Sequence, residues 1–96
     1  MMTNYTEIIR LHEMLTASNI PHTFGELCDG YHITYPLGEN WVCSVIERVG
    51  SYGSKFDLLE IMGLLTREEA EDDFVVGFLT AEDVYNRIST HYEIEG

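Results

Sequence analysis

Basic residues are scarce in this chain. Five Lys plus Arg stand against 17 Asp plus Glu among 96 residues, a formal net charge of −12. A field of that sign repels nucleic acid and anionic membrane surfaces, so direct contact with either is excluded as a function class. Cysteine is scarce too: Cys28 and Cys43 make no disulfide framework and fit a reducing interior, which points to the cytoplasm. Long apolar runs are missing, with nothing approaching the roughly 18 residues of a membrane span. Met1 to Glu7 lacks a basic stretch followed by an apolar one, so no signal peptide is expected. Repeats, linkers and low-complexity tracts are absent, and residues 1–96 are expected to form a single domain.

What is present is apolar material. Hydrophobic residues make up 45% of the chain and aromatic residues 11%, too much for a disordered acidic tail and enough for a core. The charge is uneven. Residues 1–56 hold six acids and three bases, net −3, whereas 57–96 hold eleven acids and two bases, net −9. Glu68, Glu69, Glu71, Asp72 and Asp73 place five carboxylates in six positions.

Periodicity gives the elements. Tyr5, Ile8, Ile9, His12 and Leu15 recur at helical spacing, with Thr3 or Thr6 as the cap. That helix stops by Asn19, because Pro21 biases Ile20 out of the helical region. His22 to Cys28, Asp29-Gly30 and Tyr31 to Tyr35 read as a hairpin with a two-residue turn. In that register Cys28 faces Tyr31, Glu26 faces Ile33 and Phe24 faces Tyr35. Residues 36–40 make a turn, Trp41 to Arg48 a third strand, and Gly50 to Ser54 a loop. Leu58 to Leu65 fits a helix through Leu58, Ile61, Met62 and Leu65, or a strand through Leu59, Ile61 and Leu65; the strand is adopted. Thr66-Arg67-Glu68-Glu69 and Thr80-Ala81-Glu82-Asp83 resemble capping boxes. The first starts at most two acidic turns. The second precedes Val84, Tyr85, Ile88 and Tyr92, one face of a helix over 81–92. The expected fold is α+β: a three- to four-stranded antiparallel sheet, an acidic connection, and a helix at each end.

Three strings occur together: Gly50-Ser51-Tyr52-Gly53, the segment Leu58 to Thr66, and the segment Val76 to Val84. As a set they resemble small acidic proteins of unassigned function encoded in phages and prophages of Gram-positive bacteria, over roughly residues 5–92. The resemblance implies a mobile-element setting. It carries no activity and no site residues.

Chemical motifs are few. His12, His22, His32 and His91 are far apart, and Cys28 with His32 is the one tight Cys/His spacing, pointing to opposite sheet faces in the register above. Glu68 to Asp73 lacks the glycine and the alternation of a calcium loop. Gly50 to Lys55 is not a Walker A sequence, although it is the place to look for a bound nucleotide. No Gly-x-Ser-x-Gly elbow occurs, and Cys43 between Val42 and Ser44 reads as a buried small residue. No enzyme activity, metal or cofactor is therefore expected.

The acidic face remains. Carboxylates on a rigid scaffold can imitate a nucleic-acid backbone and occupy a Lys/Arg groove. The expected function is inhibition of a basic, nucleic-acid-binding host protein, such as a defence nuclease. Its binding residues would be Glu68, Glu69, Glu71, Asp72 and Asp73, with Glu82 and Asp83 as a second ridge. Phe74 and Phe78, with Tyr52 or Trp41, would supply aromatic anchors. Two other readings compete. One is a structural, adaptor or self-associating phage protein, including a homodimer, whose charge serves only solubility. The other is nucleotide sequestration at Gly50 to Lys55.

Overall fold

In the computed structural model, which describes residues 5–95, the elements follow the order α1 (Thr6–Ala17), β1 (Thr23–Leu27), β2 (Gly30–Tyr35), β3 (Cys43–Arg48), a 3-10 turn (Ser54–Phe56), β4 (Leu59–Met62), α2 (Arg67–Asp72), β5 (Val75–Leu79) and α3 (Ala81–Glu95). The strands form one antiparallel sheet in sequence order, β1-β2-β3-β4-β5. The α+β class and the helix at each end stand as expected from sequence. The sheet has five strands rather than three or four.

The fifth strand was hidden by its bulge. Opposite the two steps from Leu59 to Ile61 lie three steps from Val76 to Leu79. The extra residue breaks the alternation by which a strand is recognised, and Phe78 sits there with φ 60. The expected acidic connection therefore comprises a six-residue helix and an edge strand. Residues 58–65 contain β4, and the strand reading holds.

One sheet face is the core face. Ile33, Val45, Ile61 and Val76 lie in register across four strands. Tyr35, Cys43 and Leu59 extend that layer, and Ile8, Leu11 and Leu15 of α1 with Ala81, Val84 and Ile88 of α3 cover it. Burying each large aliphatic side chain contributes on the order of 1.5–3 kcal/mol. The other face, with His32, Thr34, Ser44, Ile46, Glu60 and Met62, contains no buried residue.

The α1 stripe runs through Leu11 rather than Ile9, which is 39% exposed. Its N-cap is Tyr5, at φ 58 and with no side-chain cap bond. Thr6 is the first helical residue, and Thr3 lies outside the described residues. The amides of this first turn are met instead by distant carboxyls, the Glu7 amide by Asp57 Oδ1 and the Ile8 amide by Glu47 Oε1, each at 3.3 Å. At the other end Asn19 takes φ 57, and the Ile20 amide donates to the Leu15 carbonyl at 3.0 Å. That is a Schellman closure, with buried Ile20 set against Leu15. The helix stops where Pro21 suggested, through a left-handed Asn.

In the first hairpin the turn residues are Cys28 and Asp29, with Asp29 at φ 62 and Leu27 paired with Gly30. The register is thus two residues from the expected one. A two-residue slip preserves face, so Phe24, Tyr31, Ile33 and Tyr35 still share a side, whereas Cys28 leaves the strand. Gly30 is required by close approach: a Cβ there would lie 2.2 Å from the Glu47 carbonyl oxygen on β3. The third strand begins at Cys43, leaving Trp41 before it and 42% exposed. A run of rings, Tyr5 on Tyr31, Tyr31 on Phe24 and Phe24 on His12, ties α1 to the hairpin at centroid distances of 5.3, 5.5 and 4.2 Å.

Candidate protein-binding face

Thr66 starts α2 through a complete capping box. Its Oγ1 accepts from the Glu69 amide at 3.2 Å, and its own amide donates to Glu69 Oε1 at 2.8 Å. Six residues cannot hold a helix in water by propensity alone, so tertiary anchoring is needed. Arg87 of α3 provides it. Nη1 and Nη2 donate to Glu69 Oε1 and Oε2, each at 2.8 Å, and Nη1 also donates to the Leu64 carbonyl at 3.0 Å. The Arg87 fork, helped by the cap, holds the Glu69 carboxyl well below the usual range, at about 2. Glu69 is therefore engaged within the fold, tying α2 to α3.

Its four neighbours behave differently. Glu68, Glu71, Asp72 and Asp73 are exposed. Among the described residues, the side chains of Glu68, Glu71 and Asp72 have no hydrogen bond or ion pair. Arg67 makes no ion pair with Glu71 four positions on, and Asp73 Oδ1 accepts only from the Phe74 amide, at 2.8 Å. The Arg87 tie turns one carboxylate of the run inward and leaves Glu68, Glu71 and Asp72 on one short, anchored helix, with Asp73 at its extended C-cap.

Glu82 and Asp83 do not form a continuous ridge with them. They open α3, separated from α2 by β5, about 16 Å of extended chain. Glu82 is paired with Arg10 at 2.8 Å, both side chains more than half exposed. Asp83 closes the second capping box: the Thr80 amide donates to its Oδ2, and its own amide donates to Thr80 Oγ1, both at 3.1 Å. The Ala81 amide donates to Glu7 Oε1 at 2.7 Å, so α1 helps to cap α3.

Aromatic side chains line the β5 side of the sheet. Phe74, at the acidic end, is 86% exposed, and Phe78, at the other end, is 58% exposed. Phe56 lies 6.2 Å from Phe78 between ring centroids, and the Phe78 amide donates to the Tyr52 carbonyl at 3.4 Å. Sequence reasoning named Phe74, Phe78 and Tyr52 and missed Phe56, which had no visible periodicity in its loop.

A buried carboxyl pair also escaped notice. Glu47 is fully buried, and its Oε2 has no donor to accept from. Two carboxylates bring no proton of their own, so its contact with Asp57 is a hydrogen bond only when one acid is protonated. Burial, and then Asp57, push Glu47 up to about 8, so Glu47 carries the proton at neutral pH and donates to Asp57. Burial raises Asp57, but hydrogen bonds from Glu47, Thr6 and the Glu7 amide outweigh it and bring its pKa below the ordinary value. The pair joins β3 and the 50–58 loop to the start of α1. Its sequence signal was parity, since Cys43, Val45 and Glu47 alternate along one strand.

His12 Nδ1 and His22 Nε2 lie 2.8 Å apart, and His22 Nδ1 is 2.8 Å from the Ile20 carbonyl. Among the described residues no group of three or more His, Cys, Asp or Glu is arranged to hold a metal ion. Burial pushes the Cys43 thiol up to about 12. In the Gly50 to Lys55 loop, the amides of Ser51, Tyr52 and Ser54 already donate to the Arg48 carbonyl, Glu60 Oε1 and the Ser51 carbonyl. An open groove of about 420 Å³ beside α2 includes Arg87, whose guanidinium is already engaged by Glu69. No helix among the described residues is long and apolar enough to cross a membrane. Comparison with protein-family models, curated proteins and solved structures gives no match to this chain.

Proposed function

We propose that this protein is a binding protein, without catalytic activity, whose acidic α2 face engages a basic protein surface that otherwise holds nucleic acid. The observation that carries the reading is the set Glu68, Glu71, Asp72 and Asp73: exposed, free of ion pairs among the described residues, and mounted on or immediately after a helix fixed by Arg87. Solubility alone asks for dispersed charge, whereas these carboxylates repel one another at close range and are held there. A fixed row of anions presents to a Lys/Arg groove what a phosphate backbone presents, and steers fast association. The resemblance to phage and prophage proteins supports a cytoplasmic role against a host defence nuclease or a similar protein.

The test is a tagged pull-down from bacterial lysate at low and high salt, with duplex DNA added to a parallel sample. A basic nucleic-acid-binding protein retained at low salt, and displaced by salt and by DNA, is the expected result. Retention insensitive to both would favour the adaptor reading.

A further inference from the structure

We infer that Tyr52, Phe56 and Phe78 form the contact centre of the partner interface and take arginine side chains of the basic partner. The inference rests on the acidic-face reading and names the chemistry that accompanies it. The three residues are 56%, 70% and 58% exposed, unusual for large rings gathered in one place. They come together for structural reasons. Tyr52 packs where a Cβ on Gly77 would lie 2.3 Å from its own Cβ, and Gly53 lets the loop approach the Phe78 backbone, where a Cβ on Gly53 would lie 2.9 Å from the Phe78 nitrogen. The bulge that adds a residue to β5 holds Phe78 in a left-handed conformation which Gly or Asn adopts with less strain. The backbone is strained and the ring stays in solvent.

The occupant follows from charge. A second copy would bring a further net charge of −12. Asp57 follows Phe56 in the chain and Glu60 Oε1 accepts from the Tyr52 amide at 2.8 Å, against Lys55 on the other side of Phe56. An apolar surface in a negative field selects a cation that also stacks. The arginine guanidinium does both: it is planar, weakly hydrated and attracted to aromatic faces, whereas the lysine ammonium keeps its water more tightly. Buried aromatic anchors meeting arginine are also the usual centre of a strong interface.

The test compares an oligoarginine with an oligolysine of equal length, titrated at physiological ionic strength and followed by fluorescence anisotropy. Wild-type protein should favour oligoarginine by about threefold to tenfold. The double variant F56A/F78G should bring that ratio close to one, with a larger loss of affinity for oligoarginine than for oligolysine. Glycine suits the Phe78 backbone, and F56A alone serves if the double variant melts early. A wild-type ratio of one, or a ratio unchanged in the variants, would overturn the inference. E68Q/E71Q/D72N should weaken both peptides equally; if it leaves both unchanged, the acidic face fails while the ratio still reports on the rings. Sedimentation showing a dimer that F56A/F78G dissolves would make the cluster a self-interface and also overturn the inference.

Discussion

Arg87 holds Glu69 by two parallel 2.8 Å hydrogen bonds, from the second turn of α3 to the first turn of α2. This fork sorts the acidic run into one structural carboxylate and four presented ones. Without it, α2 would be a six-residue segment with no buried side chain to keep it helical.

Removing the fork should therefore loosen α2 before it unfolds the domain. Arg87→Ala is expected to cost about 1–2 kcal/mol in chemical denaturation, because the pair is only partly exposed and bidentate. Hydrogen exchange should quicken at the Ala70 and Asp73 amides, which donate within α2. The pH dependence has a definite sign. Glu69 is lowered in the folded state, so its stabilisation is present above the ordinary carboxylate range and is lost as pH falls towards 2. The variant should lack that part of the acid transition.

Much of this fold was legible from sequence because short-range physics controls it. The capping boxes at Thr66 and Thr80, the stop at Asn19 and the parity of β2 and β3 depend on neighbouring residues. Three things were not legible. The β5 bulge erased the period-two signal between Val76 and Leu79. Helix α1 is capped from Asp57 and Glu47, some 40 to 50 positions away, so no local pattern announces it. The acidic run looked uniform, yet Glu69 turns inward because of Arg87, 18 residues further on.

Glu47→Gln keeps the shape of the buried acid and still offers a donor to Asp57. Glu47 is raised to about 8 in the folded protein, so its contribution is full below the ordinary carboxylate range and lost as pH rises through 8. Between pH 5 and 8.5 the wild type should lose melting temperature relative to E47Q, and E47Q should be the more stable at the alkaline end. Parallel melting curves for the two proteins across that range would contradict the protonated assignment. Glu7, Asp57 and the Ile8 amide are the groups facing this acid.

Gly30→Ala should be among the most damaging single-methyl changes in the chain. The added Cβ would meet the Glu47 carbonyl oxygen at 2.2 Å and Arg48 Cα at 2.5 Å, both on β3. Backbone must move to admit it, and a loss of about 2–3 kcal/mol is expected in thermal denaturation. Gly50→Ala meets nothing within 4 Å, and with φ 93 it should show only the smaller penalty of its positive φ.

The central claim is that the exposed carboxylates of α2 and its C-cap, Glu68, Glu71, Asp72 and Asp73, form the binding surface. The most direct measurement is calorimetric titration of the captured basic partner with wild-type protein and with E71K/D72K/D73K. Because these side chains tie down nothing beyond the Phe74 amide, the variant should fold and melt as the wild type does. Its affinity should fall by about two orders of magnitude or more, with the salt dependence reduced. Equal affinity for the two proteins would contradict the claim and leave the charge as a device for solubility.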